Sequence, residues 1–203
     1  MPDDNSLTNS EPEVRIRRKI TLRRKMEEAA FTFDGRLKVV LYWTSDTDLD
    51  LCLFFRKKDG GFGGVFSNEY RQMKSDLGYI DTFPFMEHKG DVKEPGEGDE
   101  SKEQINIARL DEIDQAYICI VNYNAALDGE DITYAQEGGR IEVKSDSGDH
   151  LEVIADSSDN GHVYLVCSIK NRDGKFALIN ESRVMTLGKA FREIPGFELI
   201  CED

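Results

Sequence analysis

The feature that most restricts what this chain can fold into is a series of short β-branched and aromatic runs. They occupy residues 14–22 (VRIRRKITL), 37–43 (LKVVLYW), 49–55 (LDLCLFF), 104–107, 116–123 (AYICIVNY), 140–143, 150–154, 163–169 (VYLVCSI), 176–179 and 197–201. Turn residues punctuate them, at Asp59-Gly60-Gly61, Ser147-Gly148 and Asp173-Gly174. Runs of this length at this spacing predict an all-β fold, a single antiparallel β-sandwich. Only residues 110–114 and 186–193 read as short helices. Residues 1–13 (MPDDNSLTNSEPE) are polar and contain Pro, which predicts a flexible tail ahead of one sandwich domain over 14–203.

Charge narrows the partners. The chain carries 40 Asp+Glu against 26 Lys+Arg, a net charge of −14, yet its 39% hydrophobic content is enough for a packed core. A surface of this sign repels polyanions, so no nucleic acid is expected as partner, and it attracts cations. There is no apolar run of the ~18 residues that span a bilayer, and the first residues lack the pattern of a secretory signal. A cytoplasmic protein with no transmembrane segment is the expectation. Cys52, Cys119, Cys167 and Cys201 each sit in an apolar stretch without a CxxC pair, and read as small core residues. His88, His150 and His162 are scattered and receive no catalytic role.

One island runs against the mean charge: Arg15, Arg17, Arg18, Lys19, Arg23, Arg24 and Lys25. As a docking arm it would meet an acidic protein partner or an anionic membrane. As structure it is a charged edge strand, since Val14, Ile16, Ile20 and Leu22 interleave with the charges, and it can lie against the protein's own acidic surface. The edge strand is the favoured reading.

Two acidic segments carry the chemistry. In Asp46-Thr-Asp48-Leu-Asp50-Leu-Cys52, strand alternation sends Leu49, Leu51, Leu53 and Phe55 into the core and projects Asp48 and Asp50 together from the other face. Neighbouring carboxylates repel unless a cation neutralises them. The second segment, residues 89–105, packs six acids, three glycines and one proline ahead of an apolar run. An oxygen-rich, Gly-bearing loop suits calcium, which takes 6–8 oxygen ligands in a flexible shell, better than magnesium or a transition metal. The D-x-D-x-D start at Asp46 is not an EF-hand: Leu51 holds the Gly position and Lys57 the closing Glu position. Gly60-Gly61-Phe62-Gly63-Gly64 reads as a hairpin tip. No motif of a nucleophile with its base, and no phosphate loop, is present.

The stretch from Trp43 to Asp50, ending Asp48-Leu49-Asp50, resembles the DLD signature of the tellurium-resistance TerD family of stress proteins. His88-Lys-Gly90-Asp91, Gly96-Glu97-Gly98-Asp99 and Glu103-Gln104-Ile105 resemble its second signature, and residues 139–143 and 163–166 follow the same pattern. The resemblance covers residue 14 to the C-terminus. It implies a non-enzymatic calcium-binding β-sandwich of the stress response, with Asp48, Asp50, Asp91, Asp99 and Glu103 as ligands of Ca2+ and a loop or partner-contact surface ordered by the ion. Ser101 and Lys102 replace acids of the family pattern, and a residue is inserted near Pro95. These departures mark a diverged member with one calcium site. Two alternatives stand beside it: a metal-dependent phosphoester hydrolase, with Lys89, Lys93 and Lys102 near the acids, and a calcium-dependent sugar- or small-ligand-binding sandwich, with Tyr79, Phe83 and Phe85 beside the loop. For those three aromatics, core packing is the simpler account. The sequence leaves the oligomeric state open.

Overall fold

The computed structural model describes residues 19–67, 73–91, 100–130 and 132–201, with the side chains of residues 74, 75 and 91 outside that description. The tail 1–13, the basic residues Arg15, Arg17 and Arg18, and the acidic loop with Asp99 lie outside the described residues. Two sheets stack face to face. The first has the order β1 (Lys19–Leu22), β12 (His150–Ala155), β11 (Gly139–Ser145), β3 (Leu37–Trp43), β8 (Ser101–Ile107), β7 (Met86–Asp91) and β6 (Gly78–Tyr79). The second has the order β2 (Glu28–Phe31), β15 (Lys175–Met185), β14 (Val163–Arg172), β9 (Ile113–Val121), β4 (Asp50–Lys57) and β5 (Phe62–Val65). A two-stranded pair, β10 (Ile132–Thr133) with β13 (Asn160–Gly161), stands apart from both. All pairs are antiparallel except β1 with β12, which run parallel, so the sandwich is mixed at one edge.

The core between the sheets takes alternate residues from β3, β4 and β8, among them Val39 and Leu41 of β3, Ile105 and Ile107 of β8, and Leu51, Leu53 and Phe55 of β4. The expected alternation in residues 49–55 is therefore observed. The opposite face of β4, with Cys52 and Phe54, is buried as well, in a second cluster with Cys119 of β9, Ala190, Phe197 and Ile200. That cluster lies under α2 (Leu187–Glu193) and the 3-10 turn Phe197–Cys201. Burial on both faces explains why β4 and β9 are continuous apolar runs rather than alternating ones.

Four readings of the sequence are corrected by the structure. Residues 197–201 are a 3-10 turn, not a strand, because Phe197 and Ile200, three apart, both point into the second cluster. Residues 110–114 are not helical: a turn closed by the Ile113 N–H on the Leu110 carbonyl (3.1 Å) leads directly into β9. The run 116–123 ends at Val121, where Asn122 accepts from the Ala125 N–H (2.7 Å) and caps α1 (Tyr123–Asp128). The 186–193 helix is present as α2, behind Thr186. Gly60 and Gly61 form the hairpin tip, but Gly63 and Gly64 belong to β5.

Gly196 joins the C-terminal turn to the edge of the second sheet. Its φ is +86°, and a Cβ there would stand 2.7 Å from the carbonyl oxygen of Gly63 in β5. The left-handed conformation alone costs a side-chain-bearing residue about 1–2 kcal/mol, and the backbone contact adds to it. Gly196→Ala is expected to lose about 2–3 kcal/mol in urea denaturation, with the m-value unchanged.

Candidate functional site

Both acidic segments arrive at one end of the first sheet. β3 ends at Trp43, whose register partner is Ser101 at the start of β8, and Asp91 at the end of β7 pairs with Glu103. The turn between β3 and β4 thus lies beside the point where the 92–99 segment leaves and returns. That turn is fixed from within. The Trp43 indole N–H donates to the Thr47 carbonyl (2.7 Å), the Thr44 and Ser45 N–H groups donate to the Glu137 carbonyl (3.1 and 3.4 Å), and the Ser45 hydroxyl donates to the Glu137 carboxylate. Asp46 and Asp48 are left exposed on a rigid support.

The five expected ligands do not converge as a group. Asp48 lies in the turn ahead of β4, not on the strand, and faces solvent. Asp50 is 5% exposed and shares the face of Cys52, under the C-terminal elements, where its charge raises the pKa of the Tyr123 hydroxyl after the larger effect of burial. Glu103, also 5% exposed, points the other way, into the space between the sheets with Ile105 and Ile107. The side chain of Asp91 and all of Asp99 lie outside the described residues. Among the described residues no three His, Cys, Asp or Glu side chains form a group that could hold a metal ion.

Glu103 has a different task. Its Oε2 accepts the N–H of Leu51 in β4 at 2.5 Å, while His88 Nε2 donates to the Leu51 carbonyl at 3.0 Å. The Gly90 N–H donates to His88 Nδ1 (2.9 Å), so Nδ1 is an acceptor and the proton sits on Nε2. At Leu51 the β4 edge has no strand partner, because β5 pairs only from Leu53 to Arg56. Two side chains from β7 and β8 therefore satisfy the buried N–H and carbonyl of one residue of the opposite sheet. Both His88 ring nitrogens are engaged in this way, and neither is offered to a metal.

A second cluster, on the outer face of the first sheet, was not singled out in the sequence. Glu142 of β11 and Glu152 of β12 are direct cross-strand partners, 4% and 6% exposed. Facing carboxylates destabilise a sheet unless cations intervene. Lys19 of β1 pairs with both, Lys144 Nζ lies 2.6 Å and His150 Nε2 3.1 Å from Glu142, and Arg140 Nε lies 3.3 Å from Glu142. Arg140 also stacks on the Tyr42 ring (4.2 Å) and holds Glu100, lowering that carboxyl's pKa by its hydrogen bonds. The described part of the basic run thus docks on the protein's own acids through Lys19. The Ser147-Gly148 turn carries the signal: counting outward from it opposes Glu142 to Glu152.

Comparison with known proteins gives no relative. No protein-family model, curated protein or solved structure matches this chain.

Two expectations follow from the geometry. Glu103→Ala removes the acceptor of a buried N–H, and about 2–4 kcal/mol should be lost in urea denaturation, with Glu103→Gln losing less because its amide oxygen still accepts. Equal midpoints for all three proteins would contradict the bridge. For Glu142, desolvation raises the pKa, but the bonds from Lys144, Lys19 and Arg140 outweigh it and lower the value from the ordinary 4.5 to about 2. A depressed carboxylate stabilises the fold above its unfolded pKa, and that stability is lost as pH falls from 4.5 towards 2. With Lys19 and Lys144 side chains 42% and 38% exposed, the loss should be on the order of 1–2 kcal/mol. Glu142→Gln should flatten this part of the acid limb in denaturation midpoints measured across the range.

Proposed function

We propose that this chain is a non-enzymatic calcium-binding β-sandwich protein of the stress response, a diverged relative of the TerD-type proteins, whose acidic rim is ordered by the ion. The observation that carries the reading is the meeting of the two acidic segments at one end of the first sheet, through the pairing of Trp43 with Ser101. The donors there are oxygen, as a hard cation requires, and the exposed Asp46 and Asp48 stand on a turn already fixed by Trp43 and Glu137.

The described residues alone do not complete a calcium shell. Asp48 would supply one carboxylate, and Asp91 and Asp99 the others that the resemblance implies. Asp50, the first residue of β4, shares the face of Cys52, and Glu103 reaches β4 from the space between the sheets, where it serves as the support that positions the β7 and β8 ends. Calcium at the rim would relieve the repulsion among these acids and present an ordered surface to a protein partner. A protein of this kind works in the cytoplasm. Among the described residues, no helix is long and apolar enough to cross a membrane.

The test is calorimetric titration of the chelator-stripped chain with calcium, and with magnesium in parallel. One calcium per chain is expected, with the thermal midpoint raised by about 5–10 °C at a hundredfold excess over Kd. Asp48→Ala and Asp91→Ala should each weaken binding at least about tenfold. Absence of heat at millimolar calcium, or full affinity in both variants, would overturn the assignment.

A further inference from the structure

The outer face of the first sheet carries a complete row of polar side chains at the end away from the acidic rim. The strand registers place Lys19, His150, Lys144, Lys38, Asn106 and Glu87 side by side across β1, β12, β11, β3, β8 and β7. Neighbouring strands lie ~4.8 Å apart, so the stretch from Lys19 to Lys38 covers about 14 Å. Lys19 and Lys38 are exposed, and His150, Lys144 and Asn106 are half-buried. A row on an open sheet face suits a polypeptide segment better than a small molecule, whose sites are concave.

Charge in this row is unevenly met. Lys144 and Lys38 are direct cross-strand partners, and like charges so placed destabilise a sheet unless an anion intervenes. Lys144 has Glu142, and Lys19 has Glu142 and Glu152, acids buried in the next row of the same face. Lys38 forms no ion pair with any described residue. Asp146 and Asp149, in the turn after β11, hold the N–H groups of Arg36 and Thr32, and Glu87 at the end of the row pairs with Lys89 (3.2 Å).

The neutral neighbour of Lys38 is a donor as well. Gln104 Nε2 donates to Asn106 Oδ1 at 2.6 Å, which commits that oxygen and leaves Asn106 Nδ2 to donate beside Lys38. Glu142 and Glu152 are nearly sealed from solvent while the ammonium groups above them reach it, so this patch of an acidic chain meets solvent with N–H donors. Such a surface takes an anion. Spacing selects its type. Same-face side chains of an extended peptide repeat at about 6.6 Å, so three alternate carboxylates match the distance from Lys19 to Lys38. A nucleic-acid strand carries a charge at every nucleotide and is repelled by the acidic remainder of the surface, a repulsion that three carboxylates incur far less.

We infer that the row of Lys19, His150, Lys144, Lys38 and Asn106 is a docking surface for an extended acidic segment of a partner protein, with Lys38 as its central contact. The row stands independently of calcium at the rim, and each can exist without the other.

The experiment is a titration of the 15N-labelled full chain at low ionic strength, followed through the backbone amides of Lys38 and Lys144 and the side-chain amide of Asn106. The probes are a capped peptide alternating Glu with Ser and carrying three Glu, the same peptide with Gln for Glu, and a thymidine oligonucleotide of equal charge. The Glu peptide should move all three signals, with the Gln peptide at least about tenfold weaker. Lys38→Gln should weaken the Glu peptide about two- to fivefold, and Lys38→Glu at least about tenfold. Neither variant should melt below the unaltered chain, because each relieves the opposition of Lys38 to Lys144. Asp3→Asn, Asp4→Asn, Glu11→Gln and Glu13→Gln together should leave the affinity unchanged. A gain in affinity there would give the row to the chain's own first residues and overturn the partner. Equal affinity for the Glu and Gln peptides, tighter binding of the oligonucleotide, no response at millimolar Glu peptide, or full affinity in Lys38→Glu would overturn the inference as well.

Discussion

The backbone N–H and carbonyl of Leu51 tie the two sheets together by polar bonds across the interior. Apolar packing between sheets is strong but non-directional, and by itself it accepts small slides and rotations of one layer over the other. The Leu51 N–H and carbonyl, held by Glu103 and His88 across the interior, accept only one alignment. A charged acceptor inside a core is costly to desolvate, so the bridge stabilises only while all of its members stay in place. Gly90 contributes by orienting His88. This gives Glu103, one of the five expected calcium ligands, a mechanical task together with His88 and Gly90.

The outer face of the same sheet solves the reverse problem. There the carboxylates of Glu142 and Glu152 face each other, and the cations that reconcile them come from β1 and β11. Lys19 is the one that belongs to a different strand from either acid, so the network also fastens the parallel edge strand to the sheet. Its pKa is raised because the bonds to Glu152 and Glu142 outweigh desolvation. The interior bridge aligns the layers, and the exterior network holds the edge.

Much of the fold was legible in the sequence because its signals are local. Strand alternation in residues 49–55 assigned Leu51, Leu53 and Phe55 to the core between the sheets, and the apolar setting of Cys52 and Cys119 marked them as buried. What covers Cys52 was not legible, since α2 and Phe197 come more than a hundred residues later and local pattern does not encode that return. The same limit separated the acids. Asp48 and Asp50 follow strand spacing, yet β4 begins only at Asp50, because the Trp43 indole draws residue 47 into a turn. Glu103 looked like one more acid of a loop, and only the stacking of the layers brings it to Leu51. The exposure of Tyr79 and Phe83 was equally hidden, for aromatic residues near a Gly-rich segment read the same whether a neighbouring layer covers them or not.

The double burial of β4 has a consequence for how the molecule can vary. In β8, which is covered on one side, buried positions alternate with partly exposed ones, so every second residue is free to drift in character. Along β4 and most of β9 and β14 no such alternation exists. Tolerance to polar replacement therefore falls in unbroken blocks on the sheet beneath α2 and in a stripe along β8 of the other. The two layers of this sandwich are under unequal constraint, and the sheet with the open face is the one on which new surface chemistry has room to arise.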